Sequence, residues 1–201
     1  MKKTFPIIIV LLIVACAYML FYWQPDSTTH KTIFSSSATL PEGGEFNLQS
    51  LAGPVSLKDF RGKVVLVYFG YTMCPDICPT NLSMMSNAFS QMDEKELEKV
   101  QGIFISVDPQ RDTMERLAEY TNYFHTSIMG ISGQADVIRE IADRYGAAYQ
   151  MVVQKDSATN YVVDHSSETY VINPQGKLVA RLPHAAPPQE ILDAVRKNIK
   201  N

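Results

Sequence analysis

Apolar and polar positions follow three different rhythms along this chain. The first is an unbroken apolar run. Residues 5–23, FPIIIVLLIVACAYMLFYW, carry no charge, and as a helix they span about 28 Å, close to the hydrocarbon thickness of a bilayer. Tyr22 and Trp23 close the run, where aromatic rings favour the membrane interface. Lys2 and Lys3 precede it and keep the N-terminus cytoplasmic, which puts the rest of the chain on the far side. The pattern predicts an uncleaved membrane anchor over 1–23. Two competitors stand beside it. A cleaved signal peptide usually has a shorter apolar region. A lipoprotein leader would use Ile13-Val14-Ala15-Cys16 as a loose lipobox with Cys16 lipidated, yet the apolar run continues seven residues further.

Residues 24–40, QPDSTTHKTIFSSSATL, are rich in Ser and Thr and read as a tether, with the folded domain over 41–201. There the other two rhythms take over. Phe46-Asn47-Leu48 and Val55-Ser56-Leu57 alternate around Ala52-Gly53-Pro54, a hairpin pattern. VVLVYFG, residues 64–70, is continuously apolar and rich in β-branched and aromatic types, as expected of a central strand buried on both faces. GIFISVD (102–108) and Ser127–Ile131 predict two more strands.

Between them the period lengthens. Leu82, Met85, Phe89 and Met92 form one helical face. Asp112 as N-cap and Glu115 as its acidic N3 residue open a second helix carrying Leu117, Tyr120 and Phe124. A third turns Val137, Ile138, Ile141 and Tyr145 inward and stops before Gly146. TYVIN (169–173) and KLVARL (177–182) flank Asn173-Pro174-Gln175-Gly176, a type I turn. A last helix over roughly 188–200 carries Ile191, Leu192, Val195 and Ile199. Alternating strands and helices followed by a hairpin and a helix make an α/β layered domain.

Composition changes this picture little. With 201 residues and 46% hydrophobic content the chain suits one globular domain plus a leader. The formal charge of −3 argues against a nucleic-acid partner. No arginine precedes Arg61, whereas mitochondrial transit peptides are Arg-rich, so a bacterial inner membrane with a periplasmic domain is expected.

The chemistry concentrates in YTMCPDICPT, residues 71–80, directly after the central strand. Such a loop is a usual place for a site in α/β folds. Cys74 and Cys78 are the only cysteines outside the N-terminal run. Pro79 is a favoured first helical residue, so a helix is expected to start there, with both sulfurs near its N-terminus. That position favours thiolate, which is both nucleophile and soft metal ligand. Three intervening residues differ from the two of thioredoxin-type redox motifs. The peroxidatic pattern fails at Val67 and Tyr71, and a structural zinc site needs four protein ligands. Cu(I) suits two thiolates and an imidazole. His30, His125, His165 and His184 are the available rings, and spacing alone brings none of them to the cysteines.

Around this loop stand further candidates. Met73 offers a thioether, with packing as the plainer role. Asp76 suits a loop cap. Asp164 could orient the His165 ring, and Arg111 could pair with a carboxylate near the site. Met84 and Met85 carry sulfur, with Met85 on the core face.

GKVVLVYFGYTMCPDICP (62–79), SVDPQRDT (106–113) and VDHS (163–166), in that order, resemble the Sco/SenC family over about residues 44–200. The resemblance implies a thioredoxin-like domain with an added hairpin behind a transmembrane anchor. It also implies one copper ion, Cu(I) and also Cu(II), bound by Cys74, Cys78 and His165. The implied role is copper delivery to the Cu-A site of cytochrome c oxidase, with the Cu-A subunit and another copper chaperone as partners. The alternative is reduction of that site's cysteines by thiol–disulfide exchange at Cys74 and Cys78. Met73 departs from the family pattern, where many members have histidine or an aromatic.

Overall fold

The computed structural model describes residues 18, 40–153 and 161–199. Apart from Tyr18 and Leu40, the expected anchor and tether lie outside them, and no helix among the described residues is long and apolar enough to cross a membrane. Residues Leu40–Asn201 form one compact unit.

The strand β3 (Val64–Gly70) lies at the centre, and all seven of its residues are buried. It pairs in parallel with β4 (Val100–Ser106), which pairs in parallel with β5 (Ile128–Ile131). On its other side β3 meets β8 (Thr169–Ile172) antiparallel, and β9 (Leu178–Leu182) completes the sheet in the order β5-β4-β3-β8-β9. Successive side chains of a strand point to opposite faces, and the two faces of β3 have different company. Tyr68 faces α1 (Ile77–Phe89), near Cys78 and Phe104. Phe69 faces away, in edge contact with Tyr145 of α4 (Ala135–Tyr145) and with Tyr170. Helices on both faces explain why this strand shows no polar alternation.

The helix α1 buries Leu82, Met85, Ala88 and Phe89 and packs against α5 (Pro188–Ile199). Burying Leu82, Met85 and Phe89 contributes about 1.5–3 kcal/mol each relative to exposure. A single turn, α2 (Glu94–Leu97), carries a complete capping box from Asp93 and Glu96. The helix α4 ends on Gly146 at φ 67°, where its N–H bonds the carbonyls of Ala142 and Asp143. That left-handed conformation is one glycine adopts without strain. The opening hairpin, β1 (Asn47–Ser50) and β2 (Gly53–Ser56), forms where the alternation predicts it. A short 3-10 turn over Leu57–Phe60 follows it.

Several expectations shift. The first site helix begins at Ile77, two residues before Pro79. The first residues of a helix have no intrahelical acceptor to bond, so a proline in that turn costs nothing there. The strand β4 ends at Ser106 rather than 108, because the Ser106 hydroxyl accepts the Asp108 N–H and turns the chain. The helix α3 (Met114–Phe124) is capped by Thr113, whose hydroxyl accepts the Arg116 N–H, and not by Asp112. Val137 is 37% exposed, while Ile138, Ile141, Ala142 and Tyr145 form the inward face of α4. A second hairpin, β6 (Tyr149–Val153) paired antiparallel with β7 (Tyr161–His165), stands outside the five-stranded sheet, at residues where the apolar pattern predicts no strand.

Candidate metal centre

The three predicted ligands meet. Cys74 and Cys78 come from the β3–α1 loop and the first turn of α1, and His165 from the last residue of β7. Their donor atoms all lie within 4.8 Å of one another. Cys78 Sγ is 3.3 Å from His165 Nε2 across a sequence gap of 87 residues. A metal with bonds of about 2.3 Å spans donors up to about 4.6 Å apart, so the cluster is of the size that one ion can bridge.

Each ligand is held by identifiable contacts. Cys78 is fully buried, and its sulfur sits against Gly70; a Cβ there would lie 2.6 Å from Sγ. The Tyr68 hydroxyl lies 3.9 Å from the same sulfur. The Cys78 N–H, free at the start of the helix, points at Cys74 Sγ 3.4 Å away. The Nδ1 of His165 lies 2.9 Å from the Ser166 carbonyl oxygen. A carbonyl only accepts, so Nδ1 carries a proton, and Nε2 is the ring nitrogen turned to the sulfurs. The rings of Tyr68 and Tyr71 stand edge-on to the imidazole at 6.0 and 5.8 Å.

Downstream, Asn81 ties the pieces together. One helical turn after Cys78, its amide donates to the Ser167 carbonyl at 2.9 Å and accepts the Ala185 N–H at 2.8 Å. The Ser166 N–H bonds the Ala148 carbonyl, and its hydroxyl accepts the Ala148 N–H. The residues after His165 are thereby fixed both to the cysteine helix and to the base of the hairpin.

The two thiols differ. Cys74 is pulled down from the ordinary thiol range, first by the hydrogen bond with Cys78, then by His165 and by backbone N–H groups, against the opposing effect of burial. Cys78 is pushed up, chiefly by burial and also by its bond and charge interaction with Cys74. The pair therefore favours one thiolate, on Cys74, sharing the proton of Cys78. A cleft of about 460 Å³, lined by Tyr71, Cys74, Ile77, Val163 and His165, opens on this side.

The remaining candidates sort themselves. Asp164 is exposed and makes no bond to the imidazole, whose Nδ1 goes to Ser166 instead. Asp76 is the exposed N-cap residue of α1 but supplies no side-chain cap; among the described residues its carboxylate meets only Thr80 Oγ1, at 3.5 Å. Met73 is 49% exposed, Met85 lies in the core, and Met84 packs partly buried against it. Asp112 has a different task from capping. Its carboxylate accepts the Thr72 N–H at 3.0 Å, the Thr72 hydroxyl at 2.6 Å and the Ser106 hydroxyl at 2.6 Å, anchoring the start of the cysteine loop to the end of β4. Arg111 does pair with a carboxylate, that of buried Asp108. Tyr68, Gly70 and Asn81 escaped the sequence reading, since an apolar strand and a helical face give no sign of which residues touch a sulfur.

A sulfur–sulfur–imidazole cluster at the end of a central strand defines a metal- or thiol-handling α/β domain. The SCO1/SenC family profile matches residues 35–200, and the chain belongs to that family. A mitochondrial SCO2 homolog of Bos taurus is 39% identical over 158 residues, covering 78% of this chain and 59% of its own length. An SCO2-like protein of Rickettsia conorii is 35% identical, covering 77% of this chain and 75% of its own. The structure of Bradyrhizobium japonicum ScoI with copper bound superposes with a TM-score of 0.71 at 34% identity, covering 78% of this chain and 99% of that one. The chain thus spans less than two thirds of the bovine relative. The mixed α/β, thioredoxin-like Sco fold is the fold of the domain.

Proposed function

We propose that this chain is a copper metallochaperone whose cargo is one copper ion held by Cys74, Cys78 and His165. The observation that carries the reading is the convergence of these three donors within 4.8 Å, with His165 Nε2 turned to the sulfurs. The soft thiolates and the nitrogen donor suit Cu(I), and Cu(II) with an added oxygen or nitrogen donor. The copper-bound Bradyrhizobium relative adds support. Cys78 lies deep and Cys74 at the cleft, so transfer proceeds by stepwise exchange in which a partner's ligand meets Cys74 or His165 first. The receiving site is the Cu-A site of cytochrome c oxidase, with another copper chaperone as source. This destination rests on the family resemblance. Replacing Cys74, Cys78 or His165 singly and titrating the full chain with Cu(I) under reducing conditions tests the ligand set. Each replacement is expected to weaken binding and change the metal spectrum; unchanged binding removes that residue.

The unequal thiols favour a second activity on the same pair. A Cys74 thiolate attacks a target disulfide, and Cys78 then displaces the target thiol, leaving a Cys74–Cys78 disulfide and a reduced target. Turnover on an oxidised Cu-A domain checks it. The chain's setting follows the pattern of its first forty residues: an anchor over 1–23, or a leader lipidated at Cys16, a tether over 24–40 and the domain over 41–201 on the periplasmic side of a bacterial inner membrane. Mass spectrometry of the native N-terminus separates the anchor from the lipoprotein.

A further inference from the structure

We propose that Asp108, Arg111 and Tyr161 form a clasp whose task is to position His165; the inference rests on the copper-site reading above. The hairpin that carries His165 belongs to no larger sheet, so ladder hydrogen bonds do not fix it to the body of the domain. Its apolar grip is also thin, since β6 buries only Tyr149 and β7 only Val163. Side-chain contacts must therefore set where the hairpin lies.

At the first residue of β7 those contacts are dense. Arg111 Nη1 donates to the Tyr161 carbonyl at 2.9 Å, and its guanidinium carbon lies 3.7 Å from the Tyr161 ring centroid. The Tyr161 hydroxyl donates to Asp108 Oδ1 at 2.6 Å, while the other carboxylate oxygen pairs with Arg111 Nε. The same guanidinium stands 5.6 Å from the ring of Tyr71, whose hydroxyl accepts the Val163 N–H at 3.3 Å. Asp108 is fully buried, and Arg111 Nη2 is buried without an acceptor. Leaving a buried donor unpaired costs stability, and that cost falls at the Tyr161 end of the hairpin; another side-chain anchor is at its base, where Arg139 donates to the Tyr149 carbonyl at 2.7 Å and stacks 3.5 Å from the Tyr149 ring centroid.

The geometry of a strand turns this anchor into a positioning device. Residues two apart along a strand share a face, so Tyr161, Val163 and His165 all project toward the body. Tyr161 is clasped, Val163 is held by Tyr71, and His165 comes to the sulfurs about 13 Å from the clasp. Asn81 holds the chain just beyond. Releasing the clasp leaves His165 present but free to swing with its hairpin, which weakens the third ligand without touching the thiols.

The test is a double-mutant cycle on the full chain. Cu(I) affinity is measured by competition with bicinchoninate for wild type, Arg111→Gln, Tyr161→Phe and His165→Ala, and for each clasp variant combined with His165→Ala. Tyr161→Phe removes one hydroxyl and keeps the ring and the backbone, so it decides the matter should Arg111→Gln fail to fold. We expect a loss of about tenfold for the clasp variants in the presence of His165, and no further loss once His165 is gone. A copper-free readout accompanies it: amide exchange at residues 161–165 should quicken in Tyr161→Phe while β3 is unchanged. Equal losses in both backgrounds, or none in either, overturn the clasp and leave the site reading intact. His165→Ala binding as tightly as wild type overturns the site reading and the clasp with it.

Discussion

Gly70 carries one of the sharpest constraints at the residue scale. A methyl group there would lie 2.6 Å from Cys78 Sγ and 2.8 Å from the Phe104 ring, so both contacts must be relieved. Overpacking of this kind costs about 1–3 kcal/mol. Gly70→Ala is therefore expected to lower the unfolding free energy obtained from urea denaturation by that amount and also to weaken Cu(I) binding, because the sulfur is among the atoms displaced. A variant that loses stability with copper affinity intact would mean that the displaced sulfur still reaches the ion. The two cysteines make a second residue-level contrast. Thiolate is the reactive form, and an ordinary thiol near 8.5 is mostly protonated at pH 6. Cys74 is held below that range, so its alkylation by iodoacetamide should persist as pH falls from 8 to 6. Cys78, raised by burial, should stay unmodified across the window. Peptide mapping of the reduced, metal-free chain reads both; a Cys74 rate falling about tenfold per pH unit through this range would contradict the assignment.

At the scale of elements, Asp112 and Thr113 show how a capping signature divides between neighbours. Thr113 closes α3, so Thr113→Ala should cost about 1 kcal/mol, the usual worth of a cap. Asp112 instead satisfies a backbone N–H and two hydroxyls at the joint between β4 and the cysteine loop. Asp112→Ala strands those donors and should cost at least about 2 kcal/mol by chemical denaturation, with Cu(I) affinity falling as the loop loosens. Similar costs for the two variants would mean that the loop joint carries no more than a cap. The strands of the central sheet and the longer helices were legible because burial on one or both faces imposes a period on the sequence. The β6–β7 hairpin was not. Four of the five residues of β6 are exposed, so no alternation marks it, and His165 reads as a loop residue. The ligand set came from motif resemblance, because no local rule joins residues 74 and 165. The start of α1 was misplaced for a local reason as well. Pro79 announces a helix without fixing which of its first residues it is.

For the whole molecule, the site is a topological product. The loop after β3 supplies two sulfurs early in the chain, and a hairpin inserted before the antiparallel return strand β8 supplies the imidazole. A bound ion would therefore cross-link the cysteine helix to a hairpin that the main sheet does not hold, and metal binding should count as folding free energy. Anything bound to the folded chain alone stabilises it by RT ln(1 + [L]/Kd), about 2.7 kcal/mol when free Cu(I) is buffered at 100 times Kd. For a domain of about 160 residues each kcal/mol raises Tm by about 2–4 °C, so a rise of about 5–11 °C is expected in a buffered thermal melt. A strong chelator should reverse it. The same melt on His165→Ala, at the same free Cu(I), should show a smaller rise, because the weaker site is less saturated and ties only the loop to its own helix. Coincident shifts for wild type and His165→Ala would mean that copper is held by the cysteines alone and that the hairpin takes no part in retaining it.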